Sequence, residues 1–194
     1  MNPLAAGFAD ASHDSQRVFR AMLDAFSHPG RIVGVPAEVE TPGALSVAAT
    51  AFVLTLVDRE TPLWLAPGLD SVQVRDYVRF HTGAAIAADT KSAVFGLATT
   101  ARPPMLDGFA TGSDPYPDRS ATLVIEVPAL RGGPALVLRG PGIDGNASVS
   151  IAGLPRSFWS EWTANRALFP CGVDVVFAAG SELLALPRSI AVED

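Results

Sequence analysis

Cysteine is almost absent from this chain: one of its 194 residues, Cys171, carries a thiol. A lone thiol excludes an intramolecular disulfide framework and any multi-cysteine zinc or iron–sulfur site, and it fits a reducing, cytoplasmic compartment. Lysine is equally scarce. Lys91 is the single one among fourteen Lys and Arg residues, so a lysine-dependent mechanism has one place to go. The three histidines, His13, His28 and His81, are far apart and in no metal-ligand spacing. No G-x-x-x-x-G-K-[ST] phosphate loop and no G-x-S-x-G nucleophile elbow occur. Positive charge is in deficit: the net charge is −6 and the pI about 5.0. That argues against nucleic-acid binding, which rests on phosphate neutralisation by Lys and Arg. Long apolar runs are missing too. The longest, Leu45 to Val57, is interrupted by Ser46, Thr50 and Thr55 and stops at Asp58-Arg59-Glu60. It falls short of the ~20 apolar residues of a membrane span and reads as a buried helix. Met1 to Ser15 has neither the basic nor the apolar region of a signal peptide.

What is present is apolar residues: 48% of the chain is hydrophobic and only 18% charged, with a mean hydropathy of +0.28. For a chain without a membrane span, this points to apolar surface covered by a partner. A single domain over 1–194 is expected. A chain of this length buries roughly 70% of the surface its unfolded form exposes. Asp10 to Ser27 reads as a helix with Val18, Phe19, Met22, Leu23 and Phe26 inward, capped by Ser12 or Asp14 and stopped at His28-Pro29-Gly30. Further helices are expected over Leu45–Leu56 (a buried helix, or a helix running into a strand), Ser71–His81 (Gly83 closing it) and Pro155–Leu168, with a short one opened by Pro103-Pro104 and running through Phe109. Strands are expected over Ile32–Val35, Pro62–Ala66, Ala93–Ala98, Ala121–Val127, Ala135–Leu138 and Ala147–Ile151. Val173–Ala178 and Leu183–Pro187 read as a closing hairpin. Thr111 to Ser120 reads as an irregular polar loop. Long crossovers mixed with short hairpins favour an α/β fold with a mixed sheet between helical layers.

Four motifs carry candidate chemistry. Gly140-Pro141-Gly142-Ile143-Asp144-Gly145 matches G-x-G-x-x-G after a strand. The dinucleotide fingerprint needs a helix at its glycines, and the alternating Asn146–Ile151 segment predicts a strand instead, so a turn between strands is expected. Arg79 and His81 end a helix, where the dipole favours cations; they could equally offer donors to a phosphate, a phosphonate or a partner. Asp114 and Asp118 could do acid–base work or hold magnesium, or could be solvated turn residues. Cys171 reads as a small hydrophobe. No catalytic residue, cofactor or metal ligand is assigned. The candidate anion or partner contacts are Arg79, His81, Asp114 and Asp118.

Segments in one order across nearly the whole chain carry a resemblance. They are Ser15–Gly30 (SQRVFRAMLDAFSHPG), Ala48–Leu65 with its TLVDRETPLWL, Arg79–Gly83 (RFHTG), Thr111-Gly112, and Pro117–Leu123 (PDRSATL). Leu138–Ile143 (LRGPGI), Ser150–Pro155 (SIAGLP), Phe169–Asp174 (FPCGVD) and Leu186–Arg188 (LPR) complete it. This set resembles the H subunit of the bacterial carbon–phosphorus lyase core complex, the PhnH family. Asp118 and Ser120 stand where that pattern has a glutamate and a glycine. The resemblance implies a three-layer αβα sandwich with a mixed sheet, like a shortened pyridoxal-phosphate-dependent transferase fold without the cofactor. It implies a subunit needed to form ribose 1-alkylphosphonate 5-triphosphate from ATP and an alkylphosphonate with release of adenine, with catalysis on another chain. It also implies the other core subunits as partners and a homodimer when isolated. Two rivals remain: a pyridoxal-phosphate enzyme built on Lys91, and a module binding a phosphate ester or nucleotide through Arg79 and the Gly140–Gly145 turn.

Overall fold

The sheet at the centre is dictated by runs of small and β-branched side chains that have no polar face. The computed structural model describes residues 4–101 and 103–193. β2 (Leu63–Leu65), β3 (Phe95–Thr99), β6 (Thr122–Glu126) and β9 (Asp174–Ala179) run parallel. β10 (Glu182–Leu186) turns back against β9, and β1 (Val33–Gly34) pairs antiparallel with β10. The order is β1-β10-β9-β6-β3-β2. Strands buried on both faces need no polar alternation, and the middle of β6, Leu123-Val124-Ile125, is completely buried.

Alternate residues of these strands feed two cores. Leu97, Val124, Val176 and Leu183 face α1 (Ala11–Ser27), α2 (Val47–Leu56) and α3 (Val72–Thr82). Leu123, Ile125, Val175 and Phe177 face the other way, toward α4 (Arg156–Arg166) and a small antiparallel sheet. That sheet is ordered β11-β7-β8 and built from β7 (Leu136–Arg139), β8 (Ala147–Val149) and β11 (Ala191–Glu193). The architecture is thus a mixed α/β sandwich. Its second outer layer combines a helix with strands.

α1 is capped by Asp10, two residues before Ser12 and four before Asp14, the expected caps. Asp10 accepts the His13 amide at 3.0 Å, while Asp14 accepts the Asp10 amide at 3.1 Å, a reciprocal pair that satisfies two orphan donors. Its buried stripe is Val18, Met22 and Ala25, at i, i+4 and i+7. Phe19 and Leu23, expected inward, lie about 100° off that stripe and are 43% and 50% exposed. α2 is apolar all round because α1, α3 and the sheet cover it, and Ser46 caps it by accepting the Ala49 amide. α3 ends as expected at Gly83, whose φ of +72° is the left-handed cap.

The Thr111–Ser120 segment is a hairpin, β4 (Thr111–Ser113) and β5 (Tyr116–Ser120), turning at Asp114-Pro115. The prolines that suggested a loop occupy the turn and a two-stranded edge, where a missing N–H costs nothing. Pro103-Pro104 precede a single 3-10 turn, Leu106–Gly108, with no side-chain cap. The Gly140–Gly145 turn joins β7 to β8. A Cβ on Gly142 would stand 2.3 Å from the Ser27 carbonyl oxygen. The motif's glycine therefore lets the end of α1 pack closely rather than admitting a pyrophosphate.

Candidate functional site

The four contacts expected from sequence sit in two separate places. His81, in the last turn of α3, packs tilted against Tyr77 at 4.3 Å between ring centroids and bonds the Ala5 carbonyl through Nε2 at 3.0 Å. Tyr77 donates its hydroxyl to the Ala6 carbonyl at 3.3 Å, and Glu40 accepts the Ala6 amide at 2.7 Å. Burial, with the Glu40 charge adding to it, pushes the Tyr77 hydroxyl up to about 12. The two aromatic residues thus clamp the segment before α1. Arg79 is exposed on the outer side of the same helix, beside Phe80, which is 73% exposed.

Asp114 and Asp118 are exposed on the β4–β5 hairpin. The hairpin is docked by Arg188, which donates to the Pro117 carbonyl at 2.9 Å and pairs with Asp174 at the start of β9. Gly172 also donates to the Thr111 carbonyl at 2.8 Å. Cys171 Sγ lies 3.9 Å from the Asp114 carboxylate. Among the described residues no hydrogen bond or ion pair joins the α3 end to this hairpin, and no three of His, Cys, Asp and Glu could hold a metal ion. Lys91 donates Nζ to the carbonyls of Asp107 and Phe109, at 2.7 and 3.4 Å.

Two features were not singled out from the sequence. Glu126 ends β6 with its carboxylate turned into the α-helical side, where it accepts the Ser46 amide at 2.6 Å at the start of α2. Burial raises its pKa, with the Ser46 hydrogen bond opposing. The second is a cavity of about 600 Å³ between α4 and the small sheet. Arg156, Trp159, Ser160 and Thr163 line it from the helix, Leu136 and Val192 from the small sheet, and Leu154 from the segment leading into α4. α4 is positioned by its other face. Trp162 donates its indole N–H to the Ile190 carbonyl at 2.9 Å, and Asn165 exchanges two hydrogen bonds with the Val173 backbone. The signal for the cavity was available: Phe158, Trp162 and Asn165 fall on one face, and Arg156, Trp159, Ser160 and Thr163, at i, i+3, i+4 and i+7, on another. No motif marks that second stripe.

Comparison with known proteins supplies what the geometry lacks. The chain matches the model of the bacterial phosphonate metabolism protein PhnH over residues 6–193. It is 43% identical to the alpha-D-ribose 1-methylphosphonate 5-triphosphate synthase subunit PhnH of Rhizobium meliloti, over 96% of this chain and 94% of the relative. It is 34% identical to HtxG of Stutzerimonas stutzeri, which carries the name of a C-P lyase subunit, over 90% of this chain and 83% of the relative. With a family match over all but its ends, the chain belongs to the PhnH family of bacterial phosphonate metabolism proteins.

Proposed function

We propose that this chain is the H subunit of a synthase that makes ribose 1-alkylphosphonate 5-triphosphate from ATP and an alkylphosphonate, releasing adenine. The observation that carries this reading is the 43% identity, over 96% of the chain, to the Rhizobium meliloti synthase subunit. The subunit acts as a scaffold for catalytic groups on another chain and shields the reaction from water. Misplacing a reacting group by about 1 Å can cost on the order of a hundredfold in rate, so a subunit without catalytic residues can be indispensable. It works as one domain over 1–194, in the cytoplasm, as a homodimer when isolated and with the other core subunits in the complex. Arg79, His81, Asp114 and Asp118 contact partners or an anion. Its three-layer αβα plan is that of a shortened pyridoxal-phosphate-dependent transferase without the cofactor. The placement of Lys91 supports this last point, since its amine is spent on two backbone carbonyls at the surface.

The test is to assay the chain alone, then the partner subunits with and without it, following adenine release and the triphosphoribosyl product separately. The expected result is no turnover by the chain alone and no product without it. Adenine release without phosphonate transfer, in its absence, supports the shielding role. Turnover by the isolated chain, lost on changing Asp114, Asp118 or His81, overturns the scaffold reading.

A further inference from the structure

We propose that the cavity between α4 and the small sheet is a binding site for a small planar aromatic ligand carrying an anionic group, in the simplest case a nucleoside phosphate. Its volume of about 600 Å³ lies within the roughly 300–1,000 Å³ range of ligand pockets. The chemistry of its walls is divided. One wall is a stripe of α4 bearing a cation, an indole and two hydroxyls. The other is aliphatic, with Leu136 and Val192.

Arg156 supplies the anion contact. It is the first residue of α4, the end at which a cation is disfavoured, and the first turn holds no acidic residue to offset it. Its guanidinium makes no ion pair or hydrogen bond with the described residues, whereas Arg139 and Arg188 are paired. Among the described residues, no carboxylate lines the cavity. Two described acids near it in sequence are committed elsewhere: Glu193 pairs with Arg139 at 3.1 Å, and Glu161 accepts the Leu106 amide on a different side of α4. In a molecule with a net charge of −6, this recess is a place that admits an anion.

Trp159 supplies the ring contact. It is half-buried, and its indole is fixed edge-on to Phe158 at 5.0 Å and tilted against Phe177 at 6.4 Å. A preorganised aromatic surface stacks a planar ring at little cost in conformational entropy. Ser160 and Thr163 continue the stripe and suit sugar hydroxyls; the Thr163 hydroxyl already donates to the Trp159 carbonyl at 3.0 Å, leaving its lone pairs as acceptors. The cavity shares no residue with Arg79, His81, Asp114 or Asp118. The inference goes beyond the subunit reading, and either can fail alone.

The experiment is isothermal titration of the full chain, in isolation, with AMP, ATP, adenosine and inorganic triphosphate. The expected result is saturable binding of AMP and ATP, at least tenfold tighter than adenosine or triphosphate. Arg156→Ala should weaken AMP and ATP at least tenfold while leaving adenosine unchanged. Trp159→Phe, which keeps an aromatic ring against Phe158 and Phe177, should weaken AMP and adenosine together. Circular dichroism and melting temperature establish that both variants fold. Absence of saturation by AMP and ATP up to millimolar concentration overturns the proposal, as does binding that neither substitution changes. The synthase assay above is read separately, so loss of the ligand site leaves the subunit function standing.

Discussion

Glu126 shows how burial turns one side chain into a pH-dependent liability. Its folded pKa is raised, chiefly by desolvation, so the protonated form is the one the fold prefers. The sign follows from linkage: its contribution is full below the unfolded pKa and is lost as pH rises through the folded one. Glu126→Gln keeps an acceptor for the Ser46 amide and has no charge to bury. The variant should therefore have the higher urea midpoint above the ordinary carboxylate range, and the difference should vanish in acid. Equal midpoints at every pH would remove burial as the cause. Asn165 is a second case, without charge. Its Oδ1 accepts the Val173 amide at 2.8 Å and its Nδ2 donates to the Val173 carbonyl at 2.9 Å, both buried. Asn165→Ala leaves two backbone groups unpaired and should cost about 3 kcal/mol, measured by urea unfolding with an unchanged slope. Neither side chain is marked in the sequence, because both partners are backbone groups whose position only the tertiary fold defines.

Elements were legible where period or cap chemistry is local. The Ser71 start and Gly83 end of α3, the closing β9–β10 hairpin and the strand-like segment after Gly145 all follow from residues within a few positions. What was not legible depends on distant partners. β11 is three residues long and exists because β7 offers an edge. The β4–β5 hairpin is fastened by Arg188, about seventy residues downstream. The exposure of Phe19 and Leu23 depends on where α2 crosses α1. Of the candidate site, Arg79, His81, Asp114 and Asp118 were visible as residue types, but their separation was not. His81 illustrates the difference. The dipole argument applies at the end of α3, yet the ring also holds the segment before α1. His81→Ala should speed hydrogen exchange at Ala6 and Gly7 at least tenfold while lowering global stability by about 1 kcal/mol or less. Unchanged exchange there would show that Tyr77 and Glu40 suffice. Asp10→Ala, removing the α1 cap, should cost about 1 kcal/mol, read from the thermal midpoint.

At the scale of the whole molecule, one sheet separates two cores, and its middle strands are covered on both sides. β3, β6 and β9 should exchange their amides only through global unfolding, while the β4–β5 hairpin opens locally and sooner. A hairpin as protected as β6 would contradict this layering. Among the described residues, no helix is long and apolar enough to cross a membrane. The most apolar helix is α2, in which every residue from Ala48 to Val53 is buried. Its first turn is completed by residues made much later: Ser46 by Glu126, and the Ala48 amide by the Gly180 carbonyl at 2.9 Å. On the ribosome, α2 therefore leaves the exit tunnel long before its roof exists. Its sheet-facing side waits, uncovered, while well over a hundred further residues are translated. Nascent chains of this protein should be strong clients of trigger-factor-type holdases, and fragments stopped before residue 174 should be insoluble.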